Sequence, residues 1–156
     1  MSPLLLPTQK IGDTLAQLVK LEEETSAVAA TAYPEDAFRT YLWRPLNLPE
    51  LPAMWNWIDS GEYDIVDTHR GDDILVVACT IGVKAGDFGE KMDQLVRIMD
   101  VFREVSNPAL ASHLPLNDTA RYARRVVTRS HIEDFEGIPV LCLANLIRLD
   151  LVGRTH

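Results

Sequence analysis

Two periodicities stand back to back in the middle of the chain. From Asp72 to Ala85 the residues read DDILVVACTIGVKA, a β-branched-rich run with almost no charge inside it. Such a run predicts a strand covered on at least one face. Gly86, Asp87 and Gly89 interrupt it, and from Glu90 onward Met92, Leu95, Val96, Met99, Phe102 and Val105 recur at three- and four-residue steps. That spacing is the apolar stripe of an amphipathic helix. A strand feeding such a helix predicts a sheet with a helix laid on one face, and the remaining elements dock on this pair.

The flanking segments extend the pattern. Ile11, Leu15, Leu18 and Val19 mark a first helix over about residues 8–24, with Thr8 as N-cap after Pro7. Thr25 to Ala32 has weak helical or extended character. Pro34, Pro45, Pro49 and Pro52 cut residues 33–53 into short extended pieces, and Phe38, Tyr41, Leu42 and Trp43 make this stretch more apolar than an idle loop needs. It reads as a lid over the core or as a subunit contact. Leu51 to Asp59 predicts a strand with Ala53, Trp55 and Trp57 on one face and Met54, Asn56 and Ile58 on the other. Burying both tryptophans takes a large apolar partner, which either helix is able to supply. Ser60 to Glu62 predicts a turn, Tyr63 to Thr68 a short strand, and His69 to Asp73 a charged hairpin turn between antiparallel neighbours.

Beyond the central helix, Asn107 and Pro108 predict its end, and Ala109 to Thr119 an irregular crossing segment. Arg121 to Ile132 reads as an edge strand, Glu133 to Gly137 as a turn, and Ile138 to Val152 as a final strand. In that strand Leu141, Leu143, Asn145, Ile147, Leu149 and Leu151 share a face, and the exposed character grows toward Arg148 and Asp150. The result is an α+β fold: a mixed, mainly antiparallel sheet with two main helices packed on it.

Composition narrows the function classes. A chain of 156 residues fits one domain, taken as 1–156. A formal net charge of -8 argues against a dedicated nucleic-acid binder, because phosphate affinity comes from lysine and arginine. Local basic patches are still compatible with it. Cys79 and Cys142 lie mid-strand among aliphatics and read as small buried hydrophobes. Leu4 to Leu6, between Pro3 and Pro7, are too few for a signal sequence, and no run approaches the ~18 apolar residues of a membrane span. A protein made in the cytosol, with no membrane partner, is expected.

The search for chemistry finds little. His69 lies near Asp67, Asp72 and Asp73, and His131 near Glu133 and Asp134, but both groups fall in predicted turns, where charge collects for solubility. There is no GxSxG elbow, and Gly82, Gly86 and Gly89 do not space as a phosphate-binding loop. No catalytic residue, cofactor or metal ligand is assigned, and the chain does not read as an enzyme. The candidate contact residues are Tyr41 and Trp43 for a subunit interface. Arg121, Arg124, Arg125 and Arg129 on the predicted edge strand are candidates for a neighbouring subunit's acids or for DNA phosphates, against a plain solvated edge as the simplest account.

The order of elements resembles the tail terminator proteins of long-tailed bacteriophages. The resemblance runs over residues 8–152 and rests on six features. These are the N-terminal helix, the proline-rich segment, the LPAMWNWI strand, the DILVVACTIGV strand, the helix EKMDQLVRIMDVFREV and the closing strand LCLANLIRLDLV. The long aromatic insertion around Phe38 to Trp43 and the arginine-rich strand depart from that pattern. The resemblance implies a non-enzymatic hexameric ring that ends tail-tube growth and joins tail to head. Its partners would be further copies of itself, the tail tube protein, a head-tail connector or neck protein, and DNA passing through the lumen. Its place would be the tail-neck junction of the virion, reached from the host cytoplasm. The rival readings are another neck or head-completion ring protein, a small metal-dependent hydrolase using His69 or His131, and a monomeric adaptor whose aromatic loop binds a peptide.

Overall fold

The computed structural model describes residues 5–65 and 71–151. The first helix, α1 (Leu5–Ala32), is longer at both ends than the apolar stripe predicts. Thr8 therefore lies inside the helix and not at its cap. Ala27, Ala29, Ala30 and Ala32 carry the helix onward, alanine having the highest helix propensity. It stops where Tyr33 precedes Pro34, a position disfavoured for helix. A 3-10 turn (Pro34–Asp36) leads to the short strand β1 (Arg39–Tyr41). The buried Asp36 carboxylate accepts from Arg97 Nε and Nη2 at 2.6 and 2.7 Å, and Arg97 also lies 3.9 Å over the Tyr33 ring.

Four long strands follow: β2 (Ala53–Ile65), β3 (Gly71–Lys84), then, after helix α2 (Phe88–Ala111), β4 (Tyr122–Phe135) and β5 (Ile138–Leu151). The sheet order is β1-β2-β3-β5-β4; β1 runs parallel to β2 and every other pair is antiparallel. This is the mixed, mainly antiparallel sheet with two main helices expected from the pattern. The turn predicted at Ser60 to Glu62 is instead a bulge: β2 runs on, with its register shifting between Ile58 and Ser60. Of the hairpin turn expected over His69 to Asp73, His69 and Arg70 lie outside the described residues, while Gly71, Asp72 and Asp73 belong to β3 and pair antiparallel with Ile65, Asp64 and Tyr63. Glu136 (φ 54°) and Gly137 (φ 86°) form the two-residue turn joining β4 to β5, the primed geometry whose twist suits antiparallel strands.

Helix α2 is capped by Asp87, whose side chain accepts from the Glu90 amide at 2.9 Å. It continues past Pro108, contrary to the expected stop at Asn107 and Pro108. Pro108 and Glu104, whose carbonyl loses its helical partner to proline, are both exposed residues, while buried Leu110 anchors the final turn. Its buried stripe is Leu95, Ile98, Met99, Phe102, Ser106 and Leu110, and Val96 points outward.

Both helices lie on one face of the sheet. Leu15, Leu18, Leu95, Ile98, Met99 and Phe102 meet Met54, Val77, Cys79, Ile81, Leu143, Ile147 and Leu149 there. The tryptophans of β2 face the other way, so neither helix covers them. Trp55 is buried against Phe135, Val140 and Cys142, with Tyr41 and Leu51 at its margin. Trp57 remains 56% exposed.

That second face is curled. Neighbouring strands stand ~4.8 Å apart, so β2 and β4, with two strands between them, would be ~14 Å apart in a flat sheet. Yet Trp55 of β2 and Phe135 of β4 meet edge to face with centroids 5.7 Å apart, and Arg129 Nη2 reaches Asp59 Oδ1 at 2.6 Å. Small residues along the floor permit this. Ala78, Thr80 and Gly82 of β3 and Ala144 of β5 face the concavity. A Cβ on Gly82 would stand 2.7 Å from Trp55 Cη2. The bulges at Asp59 in β2 and between Arg125 and Val127 in β4 add the local bend.

Candidate functional site

The concave face holds a cavity of about 570 Å3. Its floor is Ala78, Thr80 and Ala144, its rims are Trp57 and Asp59 from β2 and Arg129, His131 and Glu133 from β4, and Leu46 hangs over it. Arg44 closes one end. Its Nε donates to Glu133 Oε1 at 2.8 Å, Nη2 to the Asp134 carbonyl at 3.3 Å, and its guanidinium lies 4.0 Å from the Phe135 ring centre. The proline-rich segment is thus held across the sheet onto β4 by Arg44, while its Leu42, Trp43 and Leu46 stay exposed. The Asp59–Arg129 pair closes the other end.

At the Arg44 end three metal-type side chains converge. His131 and Glu133 lie two residues apart in β4, and Cys142 is the direct cross-strand partner of His131 in β5. His131 Nε2 stands 3.4 Å and Cys142 Sγ 3.7 Å from Glu133 Oε2, and one donor atom from each residue falls within 4.8 Å of the other two. The turn expected to begin at Glu133 begins later: β4 runs on to Phe135, so Glu133 is in the strand, on the same face as His131. Asp134 alternates away, its Oδ2 accepting from the Gly137 amide at 3.1 Å. Burial and the Glu133 carboxylate push the Cys142 thiol well above its ordinary range, so without a cation the sulfur stays protonated.

No family model matches the chain, and no curated protein matches it in sequence.

The candidate arginines do not act from one surface. Arg121 precedes β4 and is exposed, its backbone amide donating to the Asp150 carbonyl at 2.8 Å. Arg124 is exposed, opposite Arg148 of β5. Arg125 turns under α2, donating to Asn145 Oδ1, Ser106 Oγ and Asn107 Oδ1, and is committed to holding the helix on the sheet. Arg129 belongs to the cavity. Tyr41 is partly buried beside Trp55, whereas Trp43 is 43% exposed.

Two contributors to this region were missed in the sequence, Cys142 and Arg44. The signal for Cys142 was present: five steps back from Glu136 reach His131, and five steps forward from Gly137 reach Cys142, as a two-residue hairpin turn requires. Nothing local marks Arg44, which acts across 89 residues of sequence.

Proposed function

We propose that this chain is a structural subunit of a homo-oligomeric ring of the phage tail terminator kind, which ends growth of the tail tube and joins tail to head or neck. One observation carries the reading: β4 is a long edge strand with no strand paired to its outer side among the described residues, and apolar and cationic side chains are exposed along it. Tyr122, Val126, Val127 and Ile132 are exposed there, together with Arg121 and Arg124. An open edge of this length is ordinarily blunted or covered, because its unpaired backbone groups recruit another chain. The acidic excess lies elsewhere: Asp13, Glu23, Glu24, Asp93, Asp100 and Glu104 are exposed on the helices. A closed ring built head to tail needs two unlike, complementary patches on each subunit, and a basic edge with an acidic helical layer supplies such a pair.

Light scattering on the purified protein, alone and with tail tube protein, tests this. A hexameric mass is expected in at least one of the two conditions. The Ile132→Asp variant, altered at a residue 66% exposed, is expected to keep the monomer fold and lose the ring. A wild-type chain that stays monomeric in both conditions overturns the reading, as does a ring unaffected by Ile132→Asp and by Arg124→Glu together.

A further inference from the structure

We infer that His131, Glu133 and Cys142 form a binding site for one zinc-type divalent cation, with a fourth coordination position opening into the concave cavity. This is independent of the ring reading and draws on different residues. Zinc bonds of about 2.0–2.3 Å to nitrogen, oxygen and sulfur, at tetrahedral angles, set neighbouring donor atoms about 3.3–3.7 Å apart. The two separations recorded here, 3.4 Å from His131 Nε2 to Glu133 Oε2 and 3.7 Å from Cys142 Sγ to Glu133 Oε2, already fall there. The donor set of imidazole, carboxylate and thiol is the borderline-soft combination that selects zinc, or cobalt in its place, over magnesium or calcium.

The scaffold is rigid where such a site needs rigidity. All three ligands project from paired strands, and the hairpin turn fixes their register. Glu133 is already oriented: Arg44 holds its Oε1 at 2.8 Å, leaving Oε2 toward the histidine and the cysteine. A second hydrogen-bond partner on a ligating carboxylate is the usual support of such sites. Cys142 is buried while His131 and Glu133 are half-buried and line the cavity, so a cation enters from the cavity side and meets the sulfur last. On binding, the Cys142 thiol proton leaves to solvent and the thiolate takes its place in the coordination sphere. The Arg44 charge opposes the cation, and the two anionic ligands offset it.

The test is cobalt titration of the untagged full-length protein, followed by absorbance. One equivalent per chain is expected, with a thiolate-to-cobalt charge-transfer band and the visible bands of a tetrahedral ion, both displaced by zinc. Cys142→Ser is expected to remove the charge-transfer band. His131→Ala, changed at an accessible side chain, is expected to weaken binding by at least about tenfold while leaving the circular dichroism unchanged. Zinc is also expected to raise the melting temperature of the wild type and not of His131→Ala, since a ligand held only by the folded state stabilises it. Absence of the band at saturating cobalt overturns the site, and so does a band that survives Cys142→Ser or an affinity unchanged in His131→Ala. Ring formation is scored separately by mass, with and without chelator, so failure of one reading is not failure of the other.

Discussion

Glu22 is the residue whose chemistry is most constrained by its position. It projects from α1 onto the sheet, fully buried, its Oε1 accepting from Asn56 Nδ2 at 3.1 Å while Oε2 has no hydrogen-bond partner of good geometry among the described residues. Burial pushes its carboxyl up to about 8, against the lowering effect of Asn56 and Cys79, so at neutral pH it is held as the acid. In the unfolded chain the same carboxyl ionises near 4.5. Between those values the native state binds the extra proton, and stability falls with rising pH by about 1.4 kcal/mol per unit. The contribution is complete below pH 4.5 and lost by about pH 8. Urea denaturation across that window is expected to show the fall in the wild type, and a flatter profile in Glu22→Gln, which keeps the shape and cannot ionise. In the sequence Glu22 was one of three consecutive glutamates, read together as a solvated helix end. Only the rotation of α1 against β2 singles out the one that faces inward.

Among the elements, strands and helices were legible wherever period and burial agree, as in β3, β5 and the start of α2. The departures share a cause. Helix α1 and the end of α2 run on because alanine propensity and an anchored Leu110 outweigh the local break signals, and β2 crosses Ser60 to Glu62 as a bulge because its ladder to β3 continues on both sides. The arginine strand was recognised as an edge, but alternation and a bulge send Arg125 and Arg129 to opposite faces, which composition cannot reveal. The proline-rich segment shows the same limit: its apolar content pointed to a lid or a contact, and its attachment to β4 depends on Arg44. Arg44→Ala is expected to release residues 42–51, speeding their backbone hydrogen exchange markedly and leaving exchange in β3 and β5 unchanged. Arg44→Lys is expected to restore little, since an ammonium cannot make the forked contact to Glu133 and the Asp134 carbonyl while lying on Phe135.

For the whole molecule, exposed acids concentrate on the helices and exposed arginines near the start of β4. Association through these surfaces is expected to weaken as salt rises, since the Debye length contracts from ~10 Å at 0.1 M to ~3 Å at 1 M. Sedimentation across that range measures it. A ring held chiefly by the apolar side chains of β4 would tighten or stay level instead, and the sign of the slope assigns the dominant contact.

The curl of the sheet has a consequence of its own. Because Trp55 meets Phe135 at one place and Asp59 meets Arg129 at another, the rims are tethered at a fixed gap, and the small floor residues set how deep that gap can be. Larger side chains at Ala78 or Ala144 would therefore fill the groove from below and leave both rim contacts standing.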